Sequence, residues 1–414
     1  MMRYIVMLLG AMLICKAELT SGAQVRIDGR QTIRELPRFS LYQNTSTVFA
    51  PPIELAERAE REYGRPHIIR CWLTLDDMWD FRDGQYHFDY PLGFDRYKGS
   101  KNKPREYKPS IAPPNVSYYD YLGAFAKHSD VVMLNVRRYE NEVVTGILPM
   151  EKWKEILKTG LRHYKQRYPN IVYIEALNEY EVKTFGALTD DQYYDFYRAT
   201  YETVNALNDE LKPELPLKVG GPCPEGDAFR PESPQIQATR GNKGYRVYRF
   251  LQNFAKDPNA RKCLDFVAFH DYLLYDDPAA IAQYVTIVRT WLRENGLRED
   301  LPMFDTEVGL GFGMGEKKQL QAHLNQEHAT TVSSLFYWSR EAKQLYLFPW
   351  VLMHNPETQL RLTAFLPDMR MTPFGATLKM WALQKKNEVA MEWQNQPHRT
   401  YVVASADESG MAIQ

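Results

Sequence analysis

Two segments bring a glutamate to the point where an apolar, strand-forming run gives way to a loop. Residues 173–180 read Y-I-E-A-L-N-E-Y, with Asn178-Glu179 at the exit, and residues 303–309 read M-F-D-T-E-V-G, with Glu307 at the exit. A carboxylate at a strand's end is held on a rigid element beside solvent. Two of them are the equipment of retaining glycoside hydrolysis, one as acid and then base, the other as nucleophile. Each taken alone is equally a salt-bridge partner or a neighbour of a helix N-cap. Other side chains stand where they could support the pair. Asn178 either bonds a sugar hydroxyl or forms a turn. His270 and Tyr272 alternate at another strand exit, the first to contact substrate, the second to donate a hydrogen bond to Glu307. Arg70 either favours an ionised Glu307 from the substrate site or pairs with Glu175. Trp350 either offers a flat face to a sugar or fills the core.

These residues need a frame that gathers strand ends. Nearly continuous apolar runs predict eight strands, over residues 39–43, 67–75, 131–136, 171–177, 217–221, 264–270, 302–307 and 345–352. Amphipathic stretches at 52–63, 151–168, 190–211, 278–294 and 321–343 alternate with them, and a last helix is expected over 373–385. Thr189 followed by two aspartates and Gln192 is a helix-start signal. Eight strand–helix units predict an α/β fold, a (β/α)₈ barrel, whose sites lie at the C-terminal strand ends. Glu179 and Glu307 would then leave strands four and seven and face the same mouth. The surplus length lies in loops, above all residues 76–117. The expected organisation is a leader over 1–23, a barrel over 24–386 and a β appendage over 387–414. In that appendage 400–406 and 411–414 read as strands around a D-E-S-G turn, and it reads as the start of a truncated β-sandwich.

The 414 residues carry 51 basic and 52 acidic side chains, a formal net charge of −1, which gives no support to nucleic-acid or membrane-surface binding. The 27 tyrosines, 19 phenylalanines and 8 tryptophans suit sugar-ring packing and a large core alike. Arg3, the apolar residues 4–14 and the small residues after them predict a cleavable signal peptide and a secreted or periplasmic protein. Ile14 ahead of Cys15 argues against a lipid anchor there. No later run is long enough to span a bilayer. Cys71, Cys223 and Cys263 lack metal-type spacing and read as free thiols. Asn44-Thr45-Ser46 and Asn115-Val116-Ser117 match the N-glycosylation pattern.

With these residues in view, the chain resembles the clan A glycoside hydrolases, and within them family 39, which includes xylosidases and α-L-iduronidases. Glu175-Ala-Leu-Asn178-Glu179-Tyr180 is similar to the family's strand-four segment and Val219-Gly-Gly-Pro222 to its strand-five run. Asp265-Phe266 with His270-Asp271-Tyr272 resembles its strand six, Thr306-Glu307 its strand seven, and residues 367–382 its closing loop and helix. Leu177, Tyr180 and Val308 depart from its pattern. The resemblance implies retention, with Glu179 as acid/base, Glu307 as nucleophile and no cofactor or metal.

Three further motifs carry no chemistry. Residues 309–315 (G-L-G-F-G-M-G) lack the Lys of a phosphate loop, His323 and His328 lack metalloprotease spacing, and Asp76, Asp77 and Asp271 form no calcium-loop pattern. Arg96, Lys98, Lys101, Lys103, Arg105 and Lys108 read as a solvated loop or as a selector of acidic glycans. The expected protein is a retaining glycosidase acting on an oligo- or polysaccharide, against a non-catalytic carbohydrate-binding barrel or a transglycosylase. Sugar, linkage, anomer and oligomeric state stay open.

Overall fold

The computed structural model describes residues 23–45, 52–81, 84–89, 118–225, 245–272, 277–310, 322–354, 362–398 and 400–414. The leader (save Ala23), Cys15, the basic run 96–108, the acceptor at Asn115 and all but Gly309 and Leu310 of the glycine-rich run lie outside the described residues. Two compact units emerge, Pro37–Leu383 and a second built from residues 1–36 and 384–414.

The second unit is a four-stranded antiparallel sheet. Strand β1 (Gln24–Glu35) pairs with β12 (Asn387–Gln394), which pairs with β13 (Ala404–Asp407), and that with β14 (Gly410–Ile413). Gly410, at φ 136°, makes the hairpin turn where D-E-S-G predicts one. The position of β1 differs from the sequence expectation, which began the barrel at residue 24. No residue of Gln24–Glu35 is buried, so the run carries no core-strand signal, and only β12, from the other end of the sequence, supplies its partner.

The first unit is an eight-stranded parallel sheet with intervening helices. In order it runs β2 (Tyr42–Asn44), β3 (Ile68–Thr74), β6 (Val131–Arg137), β7 (Ile171–Glu175), β8 (Lys218–Pro222), β9 (Phe266–Asp271), β10 (Met303–Val308) and β11 (Leu345–Pro349). Between β3 and β6 a small ribbon forms from β4 (Trp79–Asp80) and β5 (Gln85–Tyr86). Across the seam, Leu352 N–H donates to the Asn44 carbonyl at 3.0 Å, and Tyr42 packs on Tyr346 and Phe348. This is the (β/α)₈ barrel that the eight apolar runs predict. The helix after β7, Asp190–Leu211, opens with a capping box: Gln192 N–H donates to Thr189 Oγ1, and Thr189 N–H to Gln192 Oε1.

Alternation along the strands stacks the barrel interior in layers. Ile68, Met133, Phe266, Phe304 and Phe348 form an apolar layer, with Tyr173 packed against it. One pleat higher, Arg70, Asn135, Glu175 and Thr306 replace it with a polar one. Above that stand Trp72, Arg137 and His270. The apolar floor keeps water from the polar layer on one side, so the groups there must satisfy each other.

Candidate active site

Arg70 organises the polar layer. It is wholly buried, and its three nitrogens donate separately: Nε to Glu175 Oε2 at 2.7 Å, Nη1 to Glu307 Oε1 at 2.7 Å and Nη2 to Asn178 Oδ1 at 2.8 Å. Glu175 also accepts from Asn135 Nδ2 at 2.7 Å and from Thr306 Oγ1 at 2.6 Å. Burial pushes Glu175 up, and Arg70 together with His270, Cys223 and Thr306 more than offsets this, leaving it below the usual carboxylate range. Arg70 is therefore spent on carboxylates and an amide. Of the two readings the sequence offered for Arg70, the pairing with Glu175 is present, and the same guanidinium also reaches Glu307.

Glu179 and Glu307 reach the same space from strands four and seven of the barrel. One donor atom each from Glu179, His270 and Glu307 fall within 4.8 Å of one another. Tyr272 donates to Glu307 Oε2 at 2.7 Å, the bond its alternation with His270 suggests. His270 Nδ1 lies 2.9 Å from Glu179 Oε1 and 3.8 Å from Glu307 Oε2. The three could in shape take a cation. Yet both oxygens of Glu307 already accept hydrogen bonds, one from a guanidinium whose charge opposes a metal ion.

Local backbone geometry aims these side chains. Alternation along β10 would put Glu307 on the same side as Asp305, away from the interior. A register shift against β9 between Asp305 and Glu307 breaks that rule, so Thr306 and Glu307 both turn inward. At the other exit, Leu177 and Glu179 take φ values of 60° and 39°, and Glu179 N–H is tied to the Cys223 carbonyl at 3.0 Å. Such conformations cost about 1–3 kcal/mol each and persist where surrounding contacts over-determine them. His328 secures the loop after Glu307 by accepting from Leu310 N–H at 3.1 Å.

The two carboxyl groups differ electrostatically. Burial pushes Glu179 up to about 7, with Arg70 and Arg137 opposing the rise. Burial also raises Glu307, opposed by His270, Arg70 and the Tyr272 hydroxyl. Only Glu307 carries a direct guanidinium bond and a phenol on its second oxygen, so it is the better placed to ionise. Burial lowers His270 below the usual histidine range, against the opposing pull of Glu307.

Asn178 lies beside the pair, and its amide nitrogen has no partner among the described residues. Trp350, buried, packs with Trp72, Tyr272 and Leu310 at the rim, 5.8 Å ring to ring from Trp72. Sequence reasoning missed Trp72, Asn135 and Arg137, although inward alternation with Arg70 and Met133 points to all three.

Two acidic side chains at the C-terminal ends of the fourth and seventh barrel strands are the arrangement that the clan A resemblance implies. More narrowly, the sequence model of glycosyl hydrolases family 39 matches residues 135–308, which bears out the family-39 resemblance and supports a glycosidase. No curated protein matches the sequence. Among solved structures, a glucosidase from Croceicoccus marinus superposes with a TM-score of 0.60 at 13% identity, covering 94% of this chain and 74% of its own. A family 39 enzyme from Xanthomonas axonopodis pv. citri gives 0.59 at 17% identity over 94% and 74%. A family 39 β-xylosidase from Caulobacter crescentus gives 0.58 at 15% over 94% and 80%. Likeness at such identities concerns the fold. No described helix is long and apolar enough to cross a membrane.

Proposed function

We propose that this protein is a retaining glycoside hydrolase in which Glu179 is the acid/base and Glu307 the nucleophile. The observation that carries the reading is the spacing of the two carboxylates, one oxygen of each lying within 4.8 Å of the other. Retaining enzymes keep the groups about 5–5.5 Å apart, whereas inverting ones leave about 6.5–9.5 Å for a water. In the first step Glu307, held by Arg70 and Tyr272, attacks the anomeric carbon while Glu179 gives its proton to the leaving oxygen. In the second, Glu179 takes a proton from water, which displaces the enzyme from the sugar. Asn178 holds its amide toward the sugar 2-hydroxyl, an interaction that strengthens as positive charge develops at the ring. No metal or cofactor enters these steps. The signal peptide reading makes the enzyme an exported one.

A screen of aryl glycosides, with products followed by NMR, tests this. Retained anomeric configuration, activity abolished in Glu307→Gln, and partial rescue of Glu179→Ala by azide support the reading. Inverted product would refute it. Glycan binding without turnover, unaltered in both variants, would favour a carbohydrate-binding barrel. Product analysis with added sugar acceptors separates hydrolysis from transglycosylation.

A further inference from the structure

Arg137 is the last residue of β6 and faces inward one pleat above Asn135, in the layer over Arg70 and Glu175. It is only 4% exposed. Its guanidinium lies 4.3 Å from the ring centre of Trp72 and 4.9 Å from that of Phe185. Trp72 in turn packs against Trp350 at the rim. Arg137 is close enough to Glu179 to influence its proton affinity. Its charge is nonetheless unspent. No hydrogen bond or ion pair reaches it among the described residues, and its Nε is buried without an acceptor.

Contrast with Arg70 is instructive, since that guanidinium meets three acceptors. Glu140, Asp76 and Asp77 act on Arg137 from a distance, without an ion pair. Asp76 lies 3.6 Å from Arg138 instead, and Glu140 accepts the backbone N–H of Arg138 at 2.6 Å. Burying an arginine without acceptors is costly, and an arginine stays protonated at neutral pH. Stacking on two aromatic faces recovers only part of that cost, but it fixes the plane of the fork. A fixed, dry fork with free donors is shaped for a planar or tetrahedral oxyanion.

We propose that Arg137, held between Trp72 and Phe185, receives an anionic group of the glycan beside the Glu179–Glu307 pair, making this a site for acidic sugars. The proposal rests on the glycosidase reading for its place in the substrate, and on the unpaired guanidinium for its chemistry. The anion is a uronate carboxylate or a sulfate ester. Both present oxygens to the same fork.

The experiment compares kcat/KM on 4-methylumbelliferyl β-D-glucuronide, α-L-iduronide and β-D-glucoside 6-sulfate with that on the neutral β-D-glucoside and β-D-xyloside. Wild type should favour an anionic member. Arg137→Gln should lose about 10- to 100-fold on it relative to the neutral ones, the worth of a charge-assisted hydrogen bond. Arg137→Lys, which keeps the charge but not the fork, should fall between. Which anionic substrate is favoured separates carboxylate from sulfate. Competition of glucuronate against glucose on wild-type protein gives the same reading without a variant. Equal losses on anionic and neutral substrates, or a wild type that neither cleaves nor binds any anionic sugar, overturns the proposal. If no substrate is cleaved but glucuronate or sulfated glucose still binds, and binding falls in Arg137→Gln, the hydrolase reading fails and this one stands.

Discussion

Replacing Arg70 with methionine is the most informative perturbation of the polar layer. Arg70 bridges two buried carboxylates and one amide, each at 2.7–2.8 Å. Its loss leaves Glu175 fully buried with a charge no longer compensated. Removing one partner of a buried pair costs about 3–5 kcal/mol. On a domain of this size that corresponds to a fall in melting temperature of about 4–8 °C. The effect must depend on pH. In wild type, Glu175 binds its proton less readily folded than unfolded. Its contribution is therefore present above the ordinary carboxylate range and lost as pH falls through the lowered value. In Arg70→Met the direction reverses, because burial alone raises Glu175, so acid stabilises the variant relative to neutral pH. The gap between the two proteins should be widest near pH 7 and narrow toward pH 4. Adding Glu175→Gln to Arg70→Met should restore part of the loss. Melting followed by circular dichroism from pH 4 to 8 measures all of this. A shift under about 2 °C that does not vary with pH would refute the account of Arg70 as the charge that holds the layer together.

Other outcomes follow from the same geometry. The kcat/KM of the wild type should decline as pH rises through about 7, where Glu179 loses the proton it must donate; a flat profile to pH 9 would assign the acid elsewhere. Tyr272→Phe removes a donor from buried Glu307 and should lower kcat about 10- to 100-fold with the melting temperature little changed, measured by steady-state kinetics. Gly220→Ala would set a methyl 2.4 Å from the Phe266 ring in the barrel interior, and should cost about 1–3 kcal/mol by thermal or urea unfolding.

Much of this protein was legible in its residue order. Eight apolar runs separated by helical patterns determined a barrel, because parallel strands covered on both faces have no polar side to show. The exits of two runs marked Glu179 and Glu307, and Thr189 marked a helix start through chemistry local to four residues. What the chain alone could not decide depends on partners distant in sequence. Strand β1 gains its neighbour only from the far end of the chain. Glu307 points into the barrel only because a register shift against β9 overrides the alternation that would turn it with Asp305. For Arg70 the sequence left a substrate-facing cation and a partner of Glu175 both open, and only the fold brings Glu175, Glu307 and Asn178, each more than a hundred residues away, to its three nitrogens. Arg137 stands in a row of inward residues in the sequence. That it is unpaired among the described residues, while Arg70 is saturated, is a fact of packing, since pairing depends on which carboxylates the fold brings within hydrogen-bond reach.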